Sequence, residues 1–167
     1  TLLSNLPGMA YICRNEPDWP MILVSEGCLS ITGYTTDELM SEDVPYGGLI
    51  HPDDRQMVLD EIQNAIGNAE PFTLEYRLMD KQGGQHWVSE RGRATGTDDQ
   101  GNAILEGFVF DSTRRKEAEK ALFESKTMLD AAGRIARIGG WELDPQDLSV
   151  KWTDETYRIH EMPLDYK

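Results

Sequence analysis

Few residues of this chain have types and spacings that could support chemistry. Asp53 and Asp54 are adjacent carboxylates, a pair that acid–base catalysis could use, but they follow Pro52 at the predicted start of a helix. Proline is tolerated at the first helical position, and acidic side chains are favoured in the first turn by the helix dipole. We therefore interpret the pair as helix-start residues.

The cysteines and histidines do not indicate a reactive or metal-binding group. Cys13 and Cys28 are not spaced as a C-x-x-C pair, and two cysteines are too few for a disulfide scaffold. Both are interpreted as reduced, mostly buried thiols. His51 precedes the predicted helix, and neither His86 nor His160 has neighbours at metal-ligand spacing. The sequence predicts no metal site.

Catalytic motifs are also missing, because no G-x-S-x-G, H-E-x-x-H or P-loop string occurs. We therefore predict that this segment is not an enzyme. Several charged residues on predicted neighbouring strands are expected to form cross-strand ion pairs, with ligand binding by one arginine as the alternative. They are Glu75, Arg77, Glu90, Arg91 and Arg93.

The charge balance excludes some partners. The net charge is -14, from 16 basic and 30 acidic residues, whereas nucleic-acid binding requires basic groups that replace counterions. The same charge disfavours an anionic membrane surface. No apolar run approaches the roughly 20 residues of a bilayer span, and the first residues do not have the pattern of a signal peptide. We expect a cytoplasmic protein without nucleic-acid binding or direct membrane contact.

Patterning in the first half predicts a hairpin followed by helices. Residues 9–15 and 20–25 are β-forming runs separated by a turn. A short helix from Cys28 is expected to end at Gly33, and Thr36 is expected to cap another. A longer helix over 52–67 carries an apolar face and is expected to end at Gly67; this face comprises Val58, Ile62, Ala65 and Ile66.

The second half begins with three predicted strands, 71–80, 84–96 and 103–112, joined by glycine-containing turns. The order predicts an α+β fold, with helices on one face of a five-stranded antiparallel sheet. Residues 113–136 return to a helical pattern with heptad spacing, which predicts a coiled-coil homodimer; an amphipathic helix on its own domain is the alternative. The stripe comprises Ala118, Leu122, Ser125, Leu129, Ala132 and Ala136.

An internal repeat indicates two copies of one module. Residues 24–34, VSEGCLSITGY, align without gaps on residues 152–162, WTDETYRIHEM, and a hairpin-like pair of runs precedes each copy. A strand–turn–strand–short-helix order that appears twice implies tandem modules. The second copy is cut after its first helix.

Four segments in order resemble a PAS domain with its C-terminal PAC motif. They are NLPGMAYICRNEPDWPMILVSEGCLSITGY, GLIHPDDR, EYRLMDKQGGQHWVSERGRA and GFVFDSTRRKEAEKAL. The resemblance covers residues 1–124, and such modules precede bacterial histidine kinases and diguanylate cyclases. It implies a PAS/PAC domain over 1–112, a signalling helix over 113–136 and the N-terminal fragment of a second PAS domain over 137–167.

The resemblance also implies a ligand pocket and a signal junction. The junction comprises Asp111, Thr113 and Arg114, with Ser112 where the family usually has a β-branched residue. The haem and flavin motifs of the family are absent, so no cofactor is evident, although an unknown small molecule is possible. Residues expected to wall the pocket, or else to fill a solid core, are Tyr11, Cys13, Cys28, Ile31, Val58, Ile62, Tyr76 and Phe108.

Three functions remain open at this stage. The leading one is a sensory and dimerisation module that relays a signal through its C-terminal helix to an output domain in the same chain, a histidine kinase or diguanylate cyclase. The others are a ligand-free interaction module and a small α+β hydrolase or isomerase. We also expect the 137–167 segment to dock on the exit helix, the sheet or a neighbouring chain, burying Trp141 or Trp152.

Overall fold

The computed structural model describes residues 8–164. The chain divides into two compact units, Thr1–Lys116 and Glu117–Lys167, and each is described by itself. Among the described residues, every helix is too short or too polar to cross a membrane.

The first unit is built on a five-stranded antiparallel sheet in the order β2-β1-β5-β4-β3. The period-two segments form it as predicted, because their alternate residues face the core. The strands are β1 (Met9–Arg14), β2 (Met21–Val24), β3 (Phe72–Met79), β4 (Gln85–Thr97) and β5 (Ala103–Asp111).

Four helices connect β2 to β3 and cover one face of the sheet. The longest buries Val58 and Ile62 against the inward side chains of the strands, which confirms the predicted apolar face. The helices are α1 (Cys28–Thr32), α2 (Thr36–Leu39), α3 (Tyr46–Leu49) and α4 (Arg55–Asn68). A fifth helix, α5 (Thr113–Ala136), follows β5.

Several helix boundaries differ from the sequence predictions. The residue that caps α2 is Thr35, not Thr36, because Thr35 and Glu38 form a reciprocal capping box. Helix α4 begins at Arg55, three residues after Pro52, and continues through Gly67. It ends at Ala69, which adopts the left-handed conformation (φ 55°).

The second unit contains a small hairpin and a helix: β6 (Trp141–Leu143), β7 (Val150–Trp152) and α6 (Asp154–Ile159). Trp152 packs on Tyr157 and His160, with ring centroids 5.3 and 5.2 Å away. Trp141 is nevertheless 69% exposed and Trp152 36% exposed. The predicted docking of this segment, for which a neighbouring chain was one of the expected surfaces, stays a prediction.

Candidate functional site

The junction between β5 and α5 is held by hydrogen bonds to Trp87 on β4. The Thr113 hydroxyl oxygen accepts from the Trp87 amide at 3.0 Å, and the Ser112 amide donates to the Trp87 carbonyl at 2.8 Å. The Asp111 carboxylate accepts from the Thr113 amide at 2.8 Å, satisfying a donor that the helix leaves free. The start of α5 is thus fixed to a central strand.

The first turn of α5 is also paired with β3. Glu75 accepts from Lys116 at 2.5 Å and from Arg115. These bonds, with that of Lys116 the larger contribution, hold the pKa of Glu75 below its usual range. The Lys116 ammonium additionally lies 5.3 Å from the centre of the Trp87 ring, within cation–π range. Arg114, the third predicted junction residue, is exposed.

A second charged contact joins the start of α4 to the same strand β3. The backbone amide and Nε of Arg77 both donate to Asp54 Oδ2 at 2.9 Å, and Arg77 Nη2 lies 2.5 Å from Asp54 Oδ1. This bidentate pairing lowers the pKa of Asp54. Asp54 is the N-cap residue of α4, as its predicted place at the helix start requires, but its side chain forms no cap bond and pairs with Arg77 instead.

The centre of the sheet holds a buried acid. Glu90 on β4 is 4% exposed, and its carboxyl group accepts from the Tyr11 hydroxyl and, at 2.5 Å, from the Tyr76 hydroxyl. Tyr46 extends the cluster, with its hydroxyl 2.8 Å from that of Tyr76. Burial raises the pKa of Glu90, although both phenol donors act to lower it. Burial beside Glu90 also raises the pKa of each tyrosine.

A cavity of about 10 Å³ adjoins Glu90, which is room for about one water molecule. Half of the predicted pocket residues line this cavity. Its lining residues are Tyr11, Cys13, Trp19, Met21, Tyr46, Ile50, Val58, Ile62, Glu90 and Leu105. Sequence reasoning missed Trp19, Tyr46 and Glu90.

The other predicted pocket residues lie elsewhere. Cys28, Ile31 and Tyr76 are buried in the core but do not line the cavity. Phe108 is on the opposite face of the sheet, because Leu105 and Val109 take the inward positions of β5. It packs there against Phe110, with ring centroids 4.6 Å apart and ring planes tilted by 54°.

The predicted cross-strand ion pairs form only in part. Arg93 pairs with Glu106, its register partner on β5, at 2.7 Å. Glu75 and Arg77 pair instead with helical residues, and Glu90 points into the core. A signal for Glu90 was present in the sequence, because it shares the inward face of β4 with Val88 and Gly92.

The two thiols have the character of core residues. Burial raises the pKa of both Cys13 and Cys28, which disfavours the nucleophilic thiolate. The Cys28 thiol donates to the Tyr34 carbonyl at 3.4 Å. Between residues 8 and 164, no group of three or more acidic, histidine or cysteine side chains is arranged to hold a metal ion.

The profile of the family described as PAS fold matches residues 21–109. The chain belongs to the PAS family, as the resemblance indicated.

Curated relatives are sensors and sensor kinases. A methyl sulfide methyltransferase-associated sensor from Methanosarcina acetivorans is 32% identical over 123 residues, which cover 73% of this chain and 12% of that protein. A blue-light-activated histidine kinase from Brucella ovis is 34% identical over 96 residues, covering 57% of this chain and 18% of the kinase. The chain spans less than a fifth of the length of either relative.

Solved structures show the same fold. A sensory box histidine kinase/response regulator from Burkholderia thailandensis superposes with a TM-score of 0.56 and 29% identity, over 72% of this chain and 89% of that one. The N-terminal domain of a diguanylate cyclase with PAS/PAC sensor from Marinobacter aquaeolei gives a TM-score of 0.54 at 16% identity. This match covers 65% of this chain and 98% of that one.

Proposed function

We propose that this chain is a cytoplasmic sensory input and dimerisation module that relays a signal through α5 to an output domain of the histidine kinase or diguanylate cyclase type. In this proposal residues 1–112 sense, 113–136 transmit, and 137–167 begin a second PAS domain. The assignment of residues 137–167 to a second PAS domain is supported by the strand–strand–helix order of β6, β7 and α6, which repeats that of β1, β2 and α1.

One observation carries the relay: strand β4 holds both the buried acid and the start of the exit helix. Glu90 lies three residues from Trp87, whose backbone amide and carbonyl bind Thr113 and Ser112. A change in the hydrogen bonds of Glu90 would displace the β4 backbone in this proposal, and the same backbone is bonded to the start of α5. The buried site and the helix are therefore mechanically connected.

The dimerisation part is supported by the surface of α5. Its heptad stripe carries Leu122 and Leu129, which are 73% and 69% exposed in the single chain. Exposed leucines at this spacing are covered when two such helices pair, and an output domain that works as a dimer would receive the signal through that pair.

The small cavity favours a second candidate, a ligand-free interaction module of the same fold. A space of about 10 Å³ admits no organic molecule unless the surrounding side chains move. The same restriction disfavours the hydrolase or isomerase, because a substrate cannot reach Glu90 in this conformation.

The test is a chimeric kinase in which residues 1–136 replace the input PAS domain, joined in heptad register. Glu90→Gln serves as an artificial input, because it replaces the buried carboxyl with an isosteric neutral group. We expect it to change autophosphorylation several-fold. In a Thr113→Ala background this change should disappear, whereas Thr127→Ala should preserve it; Thr127 is a matched threonine in the same helix, bonded to the Phe123 carbonyl.

Losing the Thr113 contact costs about 1 kcal/mol, which is small beside a domain stability of about 5–15 kcal/mol, so the variant should stay folded. An equal Glu90→Gln effect in wild-type and Thr113→Ala chimeras would show that the junction does not carry the signal. A Glu90→Gln chimera identical to wild type would refute the relay from this site.

A further inference from the structure

Trp19 separates the buried cavity from a groove on the protein surface. It lies in the turn between β1 and β2, is 8% exposed, and lines both the cavity beside Glu90 and an open groove of about 460 Å³. Displacing this one side chain would join the two spaces.

The turn that carries Trp19 is held in an uncommon conformation. Asp18 and Trp19 both have left-handed backbones, with φ of 67° and 48°, which side-chain-bearing residues adopt at a cost. The Asp18 carbonyl accepts from the Gly47 amide at 2.9 Å. A Cβ on Gly47 would lie 2.7 Å from Asp18 Cα, so glycine lets the turn close onto α3. Such a conformation persists because the surrounding contacts hold it, and it places Trp19 between the cavity and the groove.

Two polar groups at the cavity have unused bonding capacity. Trp19 Nε1 is buried and has no hydrogen-bond partner, although an unpaired buried donor is costly. The Glu90 carboxyl accepts two hydrogen bonds, and a carboxyl group has further acceptor capacity in either protonation state. Within the described residues, no lysine, arginine or histidine pairs with it; the contacts that bear on its charge are those of Tyr11 and Tyr76.

The groove outside Trp19 favours cations. Its lining includes Glu16 and Asp18, and the whole chain carries a net charge of -14, which attracts positive ligands. The basic residue of the groove, Arg55, is held through its guanidinium by the carbonyls of Ile50 and Gly48 at 3.0 and 2.9 Å. Two of its five N–H donors are thus already bonded to the backbone.

We infer that the space between Glu90 and Trp19 binds a small organic ammonium compound that also carries an oxygen acceptor, such as an amino alcohol. The ammonium group would form a charge-assisted bond with Glu90 beside the aromatic ring of Tyr11, and the oxygen would accept from the Trp19 indole. This inference rests on the proposed sensory function, since it names the chemical class of the signal. Because the closed cavity has a volume of only about 10 Å³, its lining side chains must move apart to admit the ligand, which reduces the apparent affinity.

Three probes of similar size test the two parts of this assignment, the ammonium group and the oxygen. Each is titrated into the full chain at pH 7. The titration extends to about 10 mM, because a site that must open binds weakly. Ethanolamine carries both groups, propylamine lacks the oxygen, and ethylene glycol lacks the charge. We expect ethanolamine to bind, propylamine to bind several-fold more weakly, and ethylene glycol not to bind in this range.

Two variants, Glu90→Gln and Trp19→Phe, locate the site, and Asp53→Asn is the control. Glu90→Gln should abolish binding of both amines, whereas Asp53→Asn, which removes one exposed carboxylate, should not. Trp19→Phe should lower the affinity for ethanolamine to that for propylamine and leave propylamine unchanged. Trp19→Phe keeps the aromatic packing and gives an independent test if Glu90→Gln disturbs the fold.

Equal binding of ethylene glycol, absence of amine binding, or unchanged binding by folded Glu90→Gln would each overturn the inference. If Trp19→Phe still bound ethanolamine more tightly than propylamine, the proposed contact between the ligand oxygen and the Trp19 indole would be wrong. If the amines fail to bind but Thr113→Ala still blocks the Glu90→Gln effect in the chimeric kinase, the relay stands and only the ligand class is wrong.

Discussion

Gly92 on β4 lies directly opposite Gly107 on β5, and a Cβ on either glycine would come within 2.8 Å of the Tyr11 hydroxyl. This pair explains how Tyr11, on β1, reaches Glu90 two strands away. Strand β5 runs between them, and the phenol passes over Gly107 because that residue has no side chain. The hydrogen bond between Tyr11 and Glu90 therefore depends on Gly92 and Gly107, although neither glycine has a side chain that could bond to Glu90.

Gly107→Ala should destabilise the first unit. The new methyl group would lie 2.6 Å from both the Tyr11 hydroxyl and the Arg91 carbonyl, and overpacking of this kind costs about 1–3 kcal/mol. Gly96→Ala on β4 is the control, because nothing lies within 4 Å of its Cβ position. Urea unfolding of both variants measures the difference, and equal midpoints would mean that Tyr11 can move aside freely.

The Asp54–Arg77 pair should make stability depend on acidity. Because the pairing lowers the folded-state pKa of Asp54 below its ordinary value of about 3.9, its contribution is present above that value and is lost as the pH falls through the folded-state pKa. Asp54→Asn should therefore cost about 1–3 kcal/mol at pH 7 and progressively less below about pH 4.

Its control is Asp53→Asn, whose carboxylate is 74% exposed and should contribute little. The measurement is the free energy of unfolding of the three proteins at pH 7 and in acid. A cost for Asp54→Asn that stays constant across this range would contradict the assigned ion pair.

Ser112→Ala should stabilise the domain. The Ser112 hydroxyl is buried at the junction without a hydrogen-bond partner, and removing such a group recovers about 1 kcal/mol or more. Ser25→Ala should have the opposite effect, since the Ser25 hydroxyl accepts from the Ala10 amide at 2.9 Å. Thermal unfolding measures the change in melting temperature of each variant. A lower melting temperature for Ser112→Ala would show that the Ser112 hydroxyl does form a hydrogen bond.

The heptad stripe of α5 should mediate self-association. Leu122→Glu with Leu129→Glu should shift the chain toward monomer in sedimentation, because the two carboxylates would repel each other in the paired helices. Lys120→Gln with Lys126→Gln changes the net charge equally but lies off the stripe. Monomeric wild-type protein at about 100 µM, well above micromolar affinity, would argue against the dimer.

The strands were predictable because their burial alternates along the sequence. The sequence pattern predicts one apolar face for β3, and the structure buries that face. It comprises Phe72, Leu74, Tyr76 and Leu78. Glu90 was predicted to form a cross-strand ion pair, because a charged side chain is rarely buried without a partner. Its partners, Tyr11 and Tyr76, come from strands far apart in sequence, so only the assembled sheet reveals them.

Helix boundaries were less predictable for the same reason. Helix α3 contains Gly47 and Gly48, which are poor helix formers, and it forms where the Gly47 amide binds the Asp18 carbonyl from another loop. Asp54 likewise finds Arg77, 23 positions away. In both cases a tertiary contact outweighs the local preference that the sequence shows.

The position of β1 has a consequence for how the chain is made. Strand β1 pairs with β5 so that Met9 lies opposite Val109, about 100 positions later in synthesis. Contacts this distant in sequence form slowly, and until Ala103–Asp111 has been synthesised the β1–β2 hairpin has an open edge that can pair with other chains. Because α5 follows β5 directly, the exit helix becomes anchored only when the sheet closes. A partly synthesised chain therefore lacks an anchored exit helix.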